Sequence, residues 1–349
     1  MNKKTLGLLA ALCLGAATGC GATKSTVGLG YSAEFKYTAD NVETEDKNEE
    51  NGQLDLTTAF AAFNKKGEVV DVRFDVVQIK VVANEAKDGL TLTNKNVDEA
   101  HSVTSKLELG LGYNMKGVSA IGKEVDEQIE AFADWCVGKT VEEIVAGTTG
   151  AGHGVAINDE LKTSVTIGVD AFEAALKNAY ETRTEATYKI SKDAKAGIAM
   201  QSGLAYNYDN PTKEISVAVA GVMANEGTTE AVQLDEVVVP VAIAENRALS
   251  LDSSSKYVQN GVVTSKKDLG DKYAMKSTSA NIGKIEGGAE WDEQATTIET
   301  ATTGKTATEI KALVAGEGEL AGATMTVTNY LAAIAKATDY AAKDLISAR

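Results

Sequence analysis

The chain has 349 residues and a formal net charge of −16, from 34 basic and 50 acidic residues. With 44% hydrophobic residues, 24% charged residues and only two prolines it has the composition of folded domains, and its length suits two of them. An acidic balance of this size excludes a nucleic-acid binder, whose phosphate contacts need a basic face, and opposes direct adhesion to anionic lipid.

In chain order, Lys3 and Lys4 precede an apolar run, Leu6 to Ala17, that is too short for a permanent membrane span. The run ends in Ala17-Thr18-Gly19-Cys20, the small-residue pattern that a lipoprotein signal peptidase requires. Residues 1–20 are therefore expected to be a lipoprotein signal peptide. Cys20 would become the lipidated N-terminus, and the rest would sit on the extracytoplasmic face of the cell membrane, held by its acyl chains. Loss of Lys3 and Lys4 leaves 32 basic against 50 acidic residues, about −18. Cys13 leaves with the signal, so Cys136 is the one remaining thiol and no disulfide forms within a mature chain.

Asp40 to Gly52 is acidic and polar and reads as a loop. Leu54 to Phe63 and Val69 to Val82 alternate apolar and polar residues about Lys65-Lys66-Gly67, which predicts a β-hairpin. Val125 to Val137 has helical spacing at Ile129, Phe132 and Ala133. Thr140 and Glu143 form a capping box for a second, short helix. The glycines of Gly150 to Gly154 read as a flexible loop, then a short strand leads into a closing helix over Val169 to Tyr180. Farther on, Ile215 to Met223 and Ala231 to Ala242 flank a turn at Asn225-Glu226-Gly227. Thr306 and Glu309 form another capping box, and Val327 to Tyr340 is an alanine-rich closing helix.

These elements recur because the chain is a duplication. Tyr113, Met115 and Lys116 return as Tyr273, Met275 and Lys276; Asp126-Glu127-Gln128 returns as Asp292-Glu293-Gln294; Gly138-Lys139-Thr140 returns as Gly304-Lys305-Thr306. Asp75 and Asp235 occupy equivalent places in the two hairpins. The chain thus divides into residues 27–183 and 184–349, two tandem homologous domains of α+β class, each a small antiparallel sheet with packed helices.

Several chemistries can be set aside. The two histidines, His101 and His153, have no counterparts across the repeat, and Cys136 aligns with Thr302, so neither a metal site nor a Cys-His or Ser-His-Asp nucleophile is expected. Cys136 reads as a small buried hydrophobe. Gly28-Leu29-Gly30 lacks the context of a nucleotide fingerprint. The acids lie mostly on solvated helical faces, and at 5% aromatics the chain has few sugar platforms for a glycosidase. No catalytic residue is assigned.

The remaining signal precedes each closing helix: Glu160-Leu161-Lys162-Thr163-Ser164-Val165-Thr166 in one copy and Gly318-Glu319-Leu320-Ala321-Gly322-Ala323-Thr324 in the other. The plain reading of Thr166 and Thr324 is a β-branched strand residue. The segments also resemble the flavinylation motif of the FMN-binding domain family, roughly Asp-Gly-X-Ser/Thr-Gly/Ser-Ala-Thr. The ordered set around them is similar to the two-domain flavinylated lipoproteins of Gram-positive extracellular electron transfer. The resemblance implies up to two covalent FMN groups, one on Thr166 and one on Thr324, attached by a separate flavin transferase. Ser164 and Gly322 would lie beside the phosphate; Tyr113, Met115, Lys116, Tyr273, Met275 and Lys276 would lie near the flavin. It further implies an electron carrier rather than a stand-alone enzyme, fed by membrane electron-transfer proteins linked to quinone and discharging to extracellular acceptors such as ferric iron. Glu160 stands for the motif's Asp and Val165 for its Ala in copy one; Gly318 and Ala321 depart from it in copy two. The alternative is a non-redox surface lipoprotein that binds a small ligand or polymer. A hydrophobic pheromone released from within Leu6 to Gly19 is compatible with either.

Overall fold

The computed structural model describes residues 22–38, 51–98, 102–148, 158–204, 211–281 and 285–342. Cys20 and its leader, most of the acidic run at 40–52, both histidines and Gly150 to Gly154 lie outside the described residues.

The first copy lays down β1 (Thr23–Thr38), β2 (Asn51–Phe63), β3 (Val69–Ala83), β4 (Leu90–Leu92), α1 (Lys106–Leu109), α2 (Val125–Cys136), α3 (Val141–Thr148) and α4 (Asp170–Glu181). The second begins with β5 (Tyr188–Ile190), β6 (Lys195–Leu204), β7 (Glu214–Asn225), β8 (Thr228–Ile243) and β9 (Leu249–Leu251). It continues with the small hairpin β10 (Val258–Gln259) and β11 (Val262–Val263), then α5 (Lys266–Leu269), α6 (Lys276–Asn281), α7 (Trp291–Thr302), α8 (Ala307–Lys311) and α9 (Thr328–Ala341). The class is α+β with antiparallel sheets. One large sheet has the order β4-β3-β2-β1-β5 and a second β6-β7-β8-β9, with β10-β11 a two-stranded sheet apart from both. β5 follows the sequence boundary at 184 yet joins the first sheet, where Ile190 pairs with Thr23.

Period-two alternation explains the layering. One face of β2 and β3 carries Leu54, Leu56, Phe60, Val77, Ile79 and Val81; one face of β7 and β8 carries Ile215, Val217, Val219, Val237, Val239 and Val241. These two faces meet in a single core, so the copies stack sheet on sheet. The opposite faces take the helices. Ala59, Ala61, Phe63 and Phe74 pack under α2 and α4, while Ala218, Ala220, Val222 and Leu234 pack under α7 and α9. The closing helices sit very close to their strands. A Cβ built on Gly28 would fall 1.9 Å from the Ala179 carbonyl oxygen, and one on Gly197 would fall 2.1 Å from that of Ala337. Glycine in the strand and alanine in the helix are what allow this approach.

Both expected hairpins form, the first with the turn at Gly67 in the left-handed region, φ +80°. The closing helices begin within a residue of the expected positions. Both capping boxes are made: Thr140 N–H donates to Glu143 over 2.8 Å and Thr306 N–H donates to Glu309 over 2.8 Å. Cys136 is buried, and burial pushes its thiol pKa up.

Two differences stand out. β1 and β6 are full strands that the alternation pattern did not reveal, because their glycines replace the apolar residues a strand signal depends on. The short strand expected before each closing helix is absent. Residues 158–164 are turns, and Gly318–Leu320 is one turn of 3-10 helix. The amides that a strand would offer to a ladder are taken by a glutamine side chain from another helix.

Candidate functional site

Gln128, on the first turn of α2, is buried. Its Oε1 accepts from Thr166 N–H over 2.8 Å, Ile167 N–H over 3.2 Å and the Thr166 hydroxyl over 3.3 Å. Its Nε2 faces the Met115 sulfur at 3.5 Å and donates to the Ser119 hydroxyl and the Lys123 carbonyl. One amide side chain thus fixes the threonine hydroxyl, two main-chain amides and a methionine.

The second copy repeats the arrangement. Gln294 Oε1 accepts from Thr324 N–H over 2.7 Å, Met325 N–H over 3.2 Å and the Thr324 hydroxyl over 3.1 Å, while its Nε2 faces the Met275 sulfur at 3.6 Å. A glutamate completes each cluster. Glu124, which caps α2, accepts from Met115 N–H and Lys116 N–H over 2.8 and 2.9 Å. Glu290, which caps α7, accepts from Met275 N–H and Lys276 N–H over 2.7 and 3.0 Å.

Both threonines are half-buried and stand just ahead of a long helix. Neither helix start carries a side-chain cap: Val169 precedes α4 and Val327 precedes α9. Such a start favours negative charge. Beside Thr324 opens a cleft of about 920 Å³, within the size of small-molecule sites. Leu313, Val314, Met325 and Leu331 supply apolar wall, and Lys311, Lys336 and Tyr340 supply polar groups. Asp98 and Gln201 close it from the first copy and from β6, so this cleft lies where the copies meet. Lys336 pairs with Glu108 of α1, to which the Tyr340 hydroxyl donates over 3.0 Å.

The structure brings together Thr166, Met115 and the Lys116 amide in one copy, and Thr324, Met275 and the Lys276 amide in the other. The other candidates make contacts of their own. The Ser164 hydroxyl donates to the Leu161 carbonyl over 3.2 Å and closes a turn. Gly322 backs onto Thr297 of α7, which a Cβ there would approach to 3.3 Å. Tyr273 packs on Tyr257 with ring centres 6.3 Å apart, and Tyr113 lies under the Lys106 ammonium, 5.0 Å from ring centre to Nζ. The Lys116 and Lys276 side chains are exposed. Sequence reasoning missed the two glutamines and the two capping glutamates as site residues. The signal was present, since Gln128 and Gln294 close the repeated Asp-Glu-Gln triplets.

No family model matches the chain, and no solved structure matches it. A chlorophenol reductase of Desulfitobacterium hafniense is 30% identical over 129 residues, which is 35% of this chain and 37% of the relative. The chain therefore spans about a third of the length of that relative.

Proposed function

We propose that the protein is an extracytoplasmic, lipid-anchored electron carrier that holds FMN covalently on Thr166 and Thr324. The observation that carries the reading is the threonine–glutamine–methionine cluster built twice, each time ahead of an uncapped helix start. A hydroxyl that becomes a phosphodiester must be held in one orientation, and Gln128 and Gln294 do so through an acceptor oxygen. Residue chemistry fits the group. The start of α9, with no acid in its first turn, suits the phosphate, the apolar wall by Thr324 suits a planar ring system, and the methionine sulfur offers a polarisable contact. When bound, the flavin supplies acceptance of one or two electrons. The chain's own part is to hold it, exclude water from one side and fix the distance between the two sites. The reductase named above, similar over 129 residues, supports redox chemistry in a partial relative.

The test is coexpression with a flavin transferase. Yellow colour that survives denaturation, and disappears in Thr166→Ala/Thr324→Ala, is expected. Colour that is unchanged in the double variant overturns the assignment. Colourless wild-type protein, with the transferase active on a control, would favour a non-redox binding module.

A further inference from the structure

A second cleft, of about 650 Å³, opens in the first copy between the end of β3, the segment after β4 and α1. It is lined by Lys80, Lys95 and Lys106 with Thr93, Thr104 and Tyr113 among its polar groups, and no carboxylate among the described residues lines it. In a chain of net charge −16 that is a local reversal of sign. None of the three lysines makes an ion pair among the described residues. Two acids on the adjoining elements, Asp55 of β2 and Glu108 of α1, are otherwise engaged. Asp55 accepts from the amides of Gln53 and Gln78, each over 2.8 Å, and Glu108 faces Lys336 and Tyr340 of the other copy.

The rim is pinned. Asn94 Oδ1 accepts from Lys80 N–H over 2.7 Å, and Asn94 Nδ2 donates to the Gln78 carbonyl over 2.9 Å. Asn96 Nδ2 donates to the Thr104 carbonyl over 3.0 Å. The lysine stems therefore start from fixed backbone, which lowers the ordering cost of binding.

Internal comparison gives a second, independent reason. In the other copy the corresponding place is closed. Tyr257 packs with Val238, Leu269 and Tyr273, and the lysine equivalent to Lys106, Lys266, is buried and paired with Glu236 over 2.7 Å. In the first copy Gln78 stands for Val238, Val97 for Tyr257 and Val76 for Glu236, so both the plug and the counter-charge are gone while the lysine remains.

We propose that this cleft binds a small polyanion, a molecule bearing two or more carboxylates or a phosphate, through Lys80, Lys95 and Lys106. The site does not depend on the flavin reading, since it uses no atom of Thr166 or Gln128. Tyr113 is its wall, and Met115, two residues on, contacts Gln128. A bound anion thus lies one short turn of chain from the Thr166 cluster.

Calorimetric titration of the full chain in neutral detergent with citrate, and separately with inorganic phosphate, tests this. Binding of either is expected, weakening as salt is raised. Binding of citrate alone identifies carboxylates as the ligand class, and binding of phosphate alone identifies phosphate. Lys80→Gln/Lys95→Gln, both at exposed positions, should weaken it about tenfold or more. Lys177→Gln, at an exposed pair on α4, should leave it unchanged. Failure of both anions to bind, or equal binding by the Lys80/Lys95 double variant, overturns the proposal.

Discussion

At the scale of single residues, the glutamines do more than any other side chain to shape the candidate sites. Each Oε1 takes three donors, and two of them are backbone amides with no ladder to join. Gln294→Leu removes the acceptor and leaves two amides unpaired, that of Met325 buried and that of Thr324 half-buried, for which the expected cost is about 2–4 kcal/mol of stability. Gln294→Glu keeps an acceptor oxygen and should retain more of both stability and modification of Thr324. Thermal unfolding and flavin content of the two variants check this; equal behaviour of Leu and Glu would contradict it. The contact spans 30 residues in one copy and 38 in the other, so no local pattern reveals it. The sequence did show that both copies keep the glutamine, and it did show the threonines. What it could not show is that they touch. Nor could it show that Ser164, which resembles a motif residue, spends its hydroxyl inside a turn.

At the scale of elements, the alternation of Leu54 to Phe63 and the alanine spacing of α9 were readable because each element shows one apolar face to a core. β1 and β6 were not, because Gly28, Gly30 and Gly197 trade side chain for close helix approach, and that need is visible only once α4 and α9 are in place. A different element-scale device was half-legible. Asp75 and Asp235 were seen as equivalent; the structure makes them anchors. Asp75 Oδ1 accepts from Leu107 N–H of α1 over 3.2 Å, and Asp235 Oδ1 accepts from Lys267 N–H of α5 over 3.1 Å. Burial, reinforced by Glu108 beside Asp75 and by Asp268 beside Asp235, pushes both carboxyl pKa values up to about 7 despite those hydrogen bonds. The folded state then holds protons that the unfolded chain has released. The contribution of these two groups to stability is greatest below the ordinary carboxylate range near 4 and falls as pH rises toward 7, by an upper bound on the order of 4 kcal/mol for each group. Asp75→Asn/Asp235→Asn should flatten this slope and raise the denaturant midpoint at pH 8 relative to wild type. An unaltered slope between pH 5 and 8 would show that neither group carries it.

At the scale of the whole molecule, the duplication does not give two independent lobes. The inner faces of both sheets form one core, β5 crosses to the first sheet, and each copy latches the other. Tyr340 and Lys336 hold Glu108, while Tyr31 donates to Asp268 over 3.2 Å and accepts from Ser265 N–H over 2.8 Å. Sequence periodicity marks which faces are apolar but not which partner covers them, so the stacking was out of its reach. Calorimetry of the intact chain should show one cooperative transition. Residues 22–183 or 184–349 expressed alone should expose a sheet face and self-associate; two separate transitions, or stable monomeric halves, would contradict the shared core.

The central claim concerns two hydroxyls, and intact mass tests it most directly. The chain would be coexpressed with a flavin transferase, weighed, and digested to locate any modified peptide. Two increments, each the mass of FMN less one water, on the peptides containing Thr166 and Thr324 are the predicted result. An unmodified chain, with the transferase shown to be active on a control substrate, or modification at other residues, would contradict it.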